Sequence, residues 1–287
     1  MVISTKLLTN LKKQPMPTIK QSLIRATRKL NNDQRSASLE AEILLAKVLH
    51  RTREDLLANP QQQLNLWEIF YYHQLINQRL KNIPIAYLTK TKEFYGYEFV
   101  VNKNTLIPRP ESELFIDQLK DINPSDKVIA DIGTGSGCLI ITAALTIPNN
   151  KFIGVDISSS ALKIARQNGK KHQVDIQFIK GDLLEPLADK KIDIILANLP
   201  YLNDNEMFEP SIQAEPKKAL AGGTDGLVWY QKLLQQIATF PHSSQLILIE
   251  INPHQEKPLT LLIHKYLPKA SVKIVKDWQQ QTRLLKI

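Results

Sequence analysis

Two stretches of this 287-residue chain carry residue types that could do chemistry. The first is Asn198-Leu199-Pro200-Tyr201, which follows the apolar run Ile192–Ala197. A planar nitrogen, in a carboxamide or on an adenine ring, is a poor nucleophile because its lone pair is delocalised. The Asn198 side-chain oxygen and the Leu199 backbone carbonyl could accept its two N–H bonds and turn its face toward an electrophile. Pro200 fixes a turn, and Tyr201 can stack on the flat group and exclude water. Positioning and electrostatics then supply the catalysis. The surplus proton of an alkylated amide is very acidic, so no general base and no metal is expected. Taken alone, the tetrapeptide also fits a strand-ending turn with a packing tyrosine.

The second stretch is Asp131-Ile132-Gly133-Thr134-Gly135-Ser136-Gly137-Cys138, with a helical pattern following at Leu139–Thr146. A glycine-rich strand-to-helix turn admits a ligand close to the backbone and points free N–H groups at it. The spacing departs from the dinucleotide pattern G-x-G-x-x-G, because the third glycine comes one residue early. Asp131 before the turn disfavours a pyrophosphate and suits a cationic ligand. Asp156 ends the next strand candidate, 23 residues after Gly133, where an acid can grip ribose hydroxyls. Gly181-Asp182-Leu183 ends a third strand, placed to meet an adenine. A ribose, an adenine and a positive centre together suggest S-adenosylmethionine rather than a nicotinamide cofactor. Cys138 reads as a small packing residue.

The elements that must position these residues follow from glycine usage and periodicity. Of 10 glycines, none precedes Gly96 and nine lie from Gly133 to Gly226, so the first third should be helical. Ile19, Leu23, Ala26 and Leu30 recur at helical spacing. Ser38 is placed to cap a second helix containing Ile43, Leu44, Ala46, Val48 and Leu49. Leu66–Leu80 reads as another helix, with Trp67, Phe70, Tyr71 and Leu75 toward a core. Glu93–Val101 reads as a β-hairpin around Gly96. Beyond the Pro108 and Pro110 breaks, strands are expected at Lys127–Ile132, Phe152–Asp156, Ile176–Lys180, Ile192–Ala197, Gln245–Ile251, Val272–Val275 and Arg283–Ile287. Helical stretches lie between most of them, with Ser158, Ser159 and Ser160 offering caps to Ala161–Asn168. Strands alternating with helices imply a parallel sheet covered on both faces. Three segments are therefore expected: a helical domain at 1–82, a hairpin connector at 83–109 and an α/β domain at 110–287.

Composition narrows the class. The chain is 43% hydrophobic and 23% charged, enough for a packed core and unlike a disordered chain. No apolar run reaches the roughly 20 residues of a membrane helix. One cysteine excludes a disulfide framework and a cysteine-rich zinc site. With no apolar leader, a cytoplasmic protein is expected. The net charge is +9, and Met1–Asn32 holds seven basic residues and no acid. Such a balance suits a nucleic acid, or a machine built on one, as a neighbour; a lysine-rich proteome would produce it equally.

Further segments carry a resemblance. Glu40-Ala41-Glu42-Ile43-Leu44-Leu45, Pro84-Ile85-Ala86-Tyr87-Leu88, Glu93-Phe94-Tyr95-Gly96, Ile107-Pro108-Arg109-Pro110-Glu111-Ser112-Glu113, Glu215-Pro216 with Ala219-Leu220, and Gly222-Gly223-Thr224-Asp225-Gly226-Leu227 resemble motifs of the glutamine methyltransferases of peptide chain release factors, the HemK/PrmC family. The resemblance covers the chain from about Thr18.

It implies a seven-stranded Rossmann-like class I methyltransferase sheet, mostly parallel with the last strand antiparallel, plus an N-terminal helical domain that recognises substrate. It implies methyl transfer from S-adenosylmethionine to the glutamine side-chain nitrogen of a release factor's Gly-Gly-Gln motif. Gly133, Thr134, Gly135, Ser136, Gly137 and Asp156 would bind the cofactor, with Asp182 and Leu183 beside the adenine and Asn198 adjoining it. Asn198, Leu199, Pro200 and Tyr201 would bind the glutamine, with Asn198, Pro200 and Tyr201 as the catalytic set. Release factors are the implied partners of a monomeric enzyme, with no membrane and no nucleic-acid substrate. The family's tetrapeptide is N-P-P-[YF]; Leu199 replaces its first proline but still supplies the backbone carbonyl. Proline at 199 is expected to preserve activity and raise stability slightly.

Three other readings remain at this level. The same turn could hold the exocyclic amine of adenine in DNA or RNA, or a glutamine of a ribosomal protein. An inactive, cofactor-binding relative is the third.

Overall fold

The computed structural model describes residues 16–30, 34–203, 212–240 and 246–287. The chain divides into two compact units between Lys90 and Thr91.

The first unit contains α1 (Ile19–Lys29), α2 (Gln34–Leu49), α3 (Arg53–Ala58), α4 (Leu66–Arg79) and α5 (Ile85–Thr89). Thr18, Thr52 and Asn65 close capping boxes at the starts of α1, α3 and α4, satisfying backbone N–H groups that a helix start leaves free. Ile19, Leu44, Leu45, Leu56, Tyr72 and Ile76 are in its core.

Two expectations are corrected here. Ser38 lies inside α2, where its hydroxyl donates to Glu42, and caps nothing. On α4 the buried face is Ile69, Tyr72 and Ile76, while Trp67 and Tyr71 are 60% and 57% exposed. Both sets recur at helical spacing, so periodicity alone cannot choose between adjacent stripes. Tyr72 is the inward aromatic because its hydroxyl donates to the Ala41 carbonyl at 3.0 Å.

The second unit opens with the antiparallel hairpin β1 (Thr91–Phe94) and β2 (Tyr97–Val100). A 3₁₀ turn at Pro110–Glu113 leads into α6 (Leu114–Ile122). The sheet strands are β3 (Val128–Ile132), β4 (Lys151–Asp156), β5 (Gln177–Lys180), β6 (Ile194–Ala197), β7 (Leu246–Glu250), β8 (Lys273–Lys276) and β9 (Thr282–Lys286). All seven expected strands form, with bounds moved by one or two residues; Gln245 lies outside the described residues. Their order is β5-β4-β3-β6-β7-β9-β8. β3 to β7 pair in parallel, and β9 runs antiparallel to both β7 and β8.

Helices α7 (Cys138–Thr146), α8 (Ser159–Lys171), α9 (Val228–Thr239) and α10 (Glu256–Tyr266) complete the layers. Ala130, Ile132, Ile195 and Ile249 pack on one side with Tyr230 and Leu233. Ile129, Ile194, Leu196 and Leu248 pack on the other with Phe115 and Leu139. Burial on both faces explains why these strands read as nearly continuous apolar runs. The order reverses between β3 and its neighbours β4 and β6, which opens a crevice beyond their carboxyl ends.

Candidate functional site

Polar residues lie at or just past the carboxyl ends of the central strands: Asp131 in β3, Asp156 in β4, Gly181-Asp182 after β5, Asn198 after β6 and Glu250 in β7. A cavity of about 340 Å³ lies there, lined among others by Gly133, Gly135, Asp156, Asp182, Leu183 and Asn198. Leu199, Pro200, Lys103, Lys217 and Lys218 also line it.

Gly133 and Gly135 adopt left-handed φ of +78° and +55°. A Cβ on Gly133 would sit 3.1 Å from the Leu199 side chain, so glycine keeps the turn close to the β6 end. Asp156 accepts from the Gly135 N–H at 2.9 Å and the Ser158 N–H at 2.7 Å. Burial raises its pKa, against those two bonds, which favour the carboxylate. Asp156 also lines the cavity, so its carboxylate can accept from a ligand hydroxyl there. Asp182 is held by an ion pair from Lys232, and Leu183 adopts a left-handed φ of 53° beside it.

Thr134, Ser136, Gly137 and Tyr201 are not among the residues lining the cavity, and the first three support the loop from behind. Thr134 donates its hydroxyl to Asp131 at 2.6 Å. The Ser136 carbonyl accepts from the Asn168 side chain at 2.9 Å. Gly137 starts α7 at φ +79°, and a Cβ there would meet Ile141 at 3.0 Å and Ala165 at 3.1 Å. Asp131 is also turned inward, 2% exposed, and burial pushes its pKa up to about 7. Burial pushes the Cys138 thiol up to about 12, which leaves it a poor nucleophile.

The Asn198-Leu199-Pro200-Tyr201 turn is held from several directions. Asn198 donates through Nδ2 to Ser112 Oγ and to Glu250 Oε2, both at 2.9 Å. Ser112 Oγ donates to the same Glu250 oxygen at 2.5 Å. Tyr230 donates its hydroxyl to the Glu250 carbonyl at 2.6 Å and lies 3.3 Å from the Leu199 carbonyl. Gln255 donates to the Tyr201 carbonyl at 3.1 Å and the Gly226 carbonyl at 3.0 Å. Gly222 and Gly226 bring the 220–226 segment against the turn; a Cβ on either would fall within 3 Å of the Pro200 or Tyr201 backbone. Tyr201 places its hydroxyl 3.5 Å from Glu250 Oε1, and burial raises its pKa. Leu199 is 3% exposed, with its side chain in the core, and it is one of the residues lining the cavity.

Glu215 joins two separate motifs by accepting from the Ile107 N–H at 3.0 Å and from Arg109 at 2.5 Å. Sequence reasoning gave no role to Glu250, Tyr230 or Gln255, and quoted Ser112 without one. For Glu250 a signal was present: a lone acid at the carboxyl end of an apolar strand, the same feature that singled out Asp156. Among the described residues, no group of three or more His, Cys, Asp or Glu could hold a metal, and no helix is long and apolar enough to cross a membrane.

The sheet order, the glycine turn and the acid on the second strand define the class of Rossmann-like methyltransferase domains, and the comparisons agree. Residues 110–236 match the methyltransferase small domain and residues 21–89 match the PrmC N-terminal domain. A Pyrococcus furiosus methyltransferase structure shares the fold, at TM-score 0.51 and 20% identity over 73% of this chain and 95% of that one. The release factor glutamine methyltransferase of Bacillus anthracis is 33% identical over 254 residues, 85% of this chain and 90% of that protein. The chain belongs to the release factor glutamine methyltransferase family. It is also 34% identical over 284 residues, 87% of its length, to a bifunctional methyltransferase of Rickettsia bellii, and spans about half (50%) of that longer protein.

Proposed function

We propose that this chain transfers a methyl group from S-adenosylmethionine to the side-chain amide nitrogen of the glutamine in the Gly-Gly-Gln motif of a peptide chain release factor. The observation that carries the reading is the meeting, in one cavity, of the glycine turn with Asp156 and the Asn198-Leu199-Pro200 turn.

The residues present fit the cofactor. Gly133 and Gly135 leave room for it against the backbone, Asp156 offers acceptors to ribose hydroxyls, and Asp182 with Leu183 borders the place for the adenine. Thr134, Ser136 and Gly137 hold the loop in shape. S-adenosylmethionine supplies a methyl on a cationic sulfur, which leaves with the bonding pair as a neutral thioether. Asn198 and the Leu199 carbonyl hold the two amide N–H bonds, so the nitrogen presents its face to the methyl. Pro200, which lines the cavity, shields the group from water, with Tyr201 next to it in the turn. As the N–C bond forms, the nitrogen gains positive charge and releases one proton to solvent. The chain supplies orientation and fixed dipoles and no covalent intermediate.

The helical segment at 1–82 serves release-factor recognition, 83–109 connects, and 110–287 carries the chemistry. The enzyme acts as a monomer in the cytoplasm. Incubation with S-adenosylmethionine and purified release factor tests this: intact mass should rise by one methyl, located on the Gly-Gly-Gln glutamine. No shift on any release factor, or methylation of adenine in DNA or RNA instead, would overturn it.

A further inference from the structure

Asparagine's oxygen and nitrogen are nearly the same size, so a site that needs the oxygen outward must be told which end is which. Asn198 is told by its neighbours. Glu250 is 2% exposed and does not line the cavity. As a carboxylate it can only accept, and its Oε2 lies 2.9 Å from Asn198 Nδ2. The single Ser112 hydroxyl proton is committed to that same oxygen at 2.5 Å. Ser112 Oγ therefore meets Asn198, 2.9 Å away, with its lone pairs. Both neighbours accept, so the amide nitrogen must face them and Oδ1 must face away. The opposite rotamer would set an oxygen against a carboxylate and lose both bonds, one of them charge-assisted.

We propose that Glu250, acting with Ser112, is a positioning residue that fixes the Asn198 carboxamide with its oxygen toward the acceptor, so that the site selects the N–H-bearing end of a planar group. This rests on the function proposed above. A glutamine entering with its carbonyl oxygen toward Asn198 meets another acceptor and is rejected, and so is a glutamate carboxylate. The nitrogen is the end that remains. Tyr201, 3.5 Å from Glu250 Oε1, and Tyr230, on the Glu250 carbonyl, brace the acid from the turn and from α9.

The device is sensitive to protonation of Glu250. Burial, with a smaller push from Glu111, raises its pKa to about 7 against the opposing bonds from Ser112 and Tyr201 and the charge of Arg283. Cys138 on α7 stays neutral near it. A neutral carboxyl accepts more weakly, so control over the Asn198 rotamer fades on the acid side.

Three variants test this, with folding checked by thermal melts. Glu250→Ala should cut kcat by about tenfold to a hundredfold, the scale for removing a residue that orients a reacting-site group, with affinity for S-adenosylmethionine within about twofold. Ser112→Ala should fall between this variant and wild type. Glu250→Gln keeps an acceptor oxygen for Asn198 and can turn its Nε2 to Tyr201. It should recover most of the loss and flatten the acid limb that wild type shows near pH 7. A second readout needs no turnover: the Asn198 side-chain ¹⁵N resonance, assigned with Asn198→Ala, should titrate in wild type and not in Glu250→Gln. A silent Asn198 resonance, or Glu250→Gln as impaired as Glu250→Ala, overturns the positioning role. A titrating resonance in a protein that leaves every release factor unmodified would overturn the proposed function and leave the positioning intact.

Discussion

Gly226 and Gly96 form a matched pair for testing how tightly the Asn198–Tyr201 turn is built. Both have left-handed backbones, φ +71° and +78°. An added Cβ at Gly96 meets nothing within 4 Å, whereas at Gly226 it would lie 2.3 Å from the Tyr201 carbonyl oxygen and 2.5 Å from Gln255 Nε2. The left-handed conformation costs alanine about 1–2 kcal/mol at either place. At Gly226 overpacking adds about 1–3 kcal/mol. The methyl would also wedge into the two bonds that Gln255 donates, each worth about 1 kcal/mol. Gly96→Ala should therefore lose about 1–2 kcal/mol, and Gly226→Ala about 4–7 kcal/mol if both bonds are lost, beyond the range of most single substitutions.

The functional contrast should be larger still. The Tyr201 backbone must give way in Gly226→Ala, which carries the Asn198–Tyr201 turn away from its geometry, whereas Gly96→Ala leaves that turn untouched. Urea unfolding gives the two stabilities, and turnover on a release factor at saturating S-adenosylmethionine gives the activities. Equal destabilisation of the pair within about 0.5 kcal/mol, or full activity in Gly226→Ala, would refute the claim that Gly226 exists to admit the Tyr201 carbonyl.

Asn198→Ala should leave cofactor affinity largely intact and lower kcat by about 100-fold or more, the scale for losing one oriented polar group; calorimetry with turnover checks this, and near-normal kcat would remove Asn198 from the chemistry. Asp156→Ala should weaken S-adenosylmethionine binding more than it slows turnover at saturation, since a charged hydrogen bond is worth about 1.5–3 kcal/mol, and the variant also frees the Gly135 and Ser158 N–H groups; unchanged calorimetric affinity would count against it. Leu199→Pro should retain activity, because the carbonyl survives. Its stability is expected to fall rather than rise: a compatible proline gains about 0.4–1 kcal/mol, but Leu199 is 3% exposed in the core, and trimming a buried leucine costs more than that. A raised melting temperature would contradict this. Asp131 and Glu250, both pushed up to about 7 by burial, hold protons in the folded chain that the unfolded chain has released. Their contribution to stability should be complete below about pH 4 and lost as pH rises through about 7. Melting temperature against pH should show that slope, smaller in Asp131→Asn; an unchanged slope would mean Asp131 titrates normally.

What the sequence determined by itself was local and periodic. Each sheet strand could be found because burial on both faces makes it a short apolar run. The Gly133–Gly137 turn, Asp156 and Asn198 could be found because each directly follows or ends such a run. The helices of the first unit followed from 3.6-residue periodicity, but which stripe of α4 faces inward did not, because two stripes were equally periodic and only the partner helix could choose.

Tertiary structure alone decided how the site is assembled. Ser112 and Glu250 are 138 residues apart and share one hydrogen bond; Arg109 and Glu215 are 106 apart and share another. Neither pair has any spacing that a chain must display, since folding brings a strand end and a distant loop together through the sheet order and not through local geometry. The same holds within the glycine turn. Its residue types announce a ligand, yet only the packing against Asp131, Asn168 and Ala165 shows that Thr134, Ser136 and Gly137 shape the loop while Gly133 and Gly135 face the cavity.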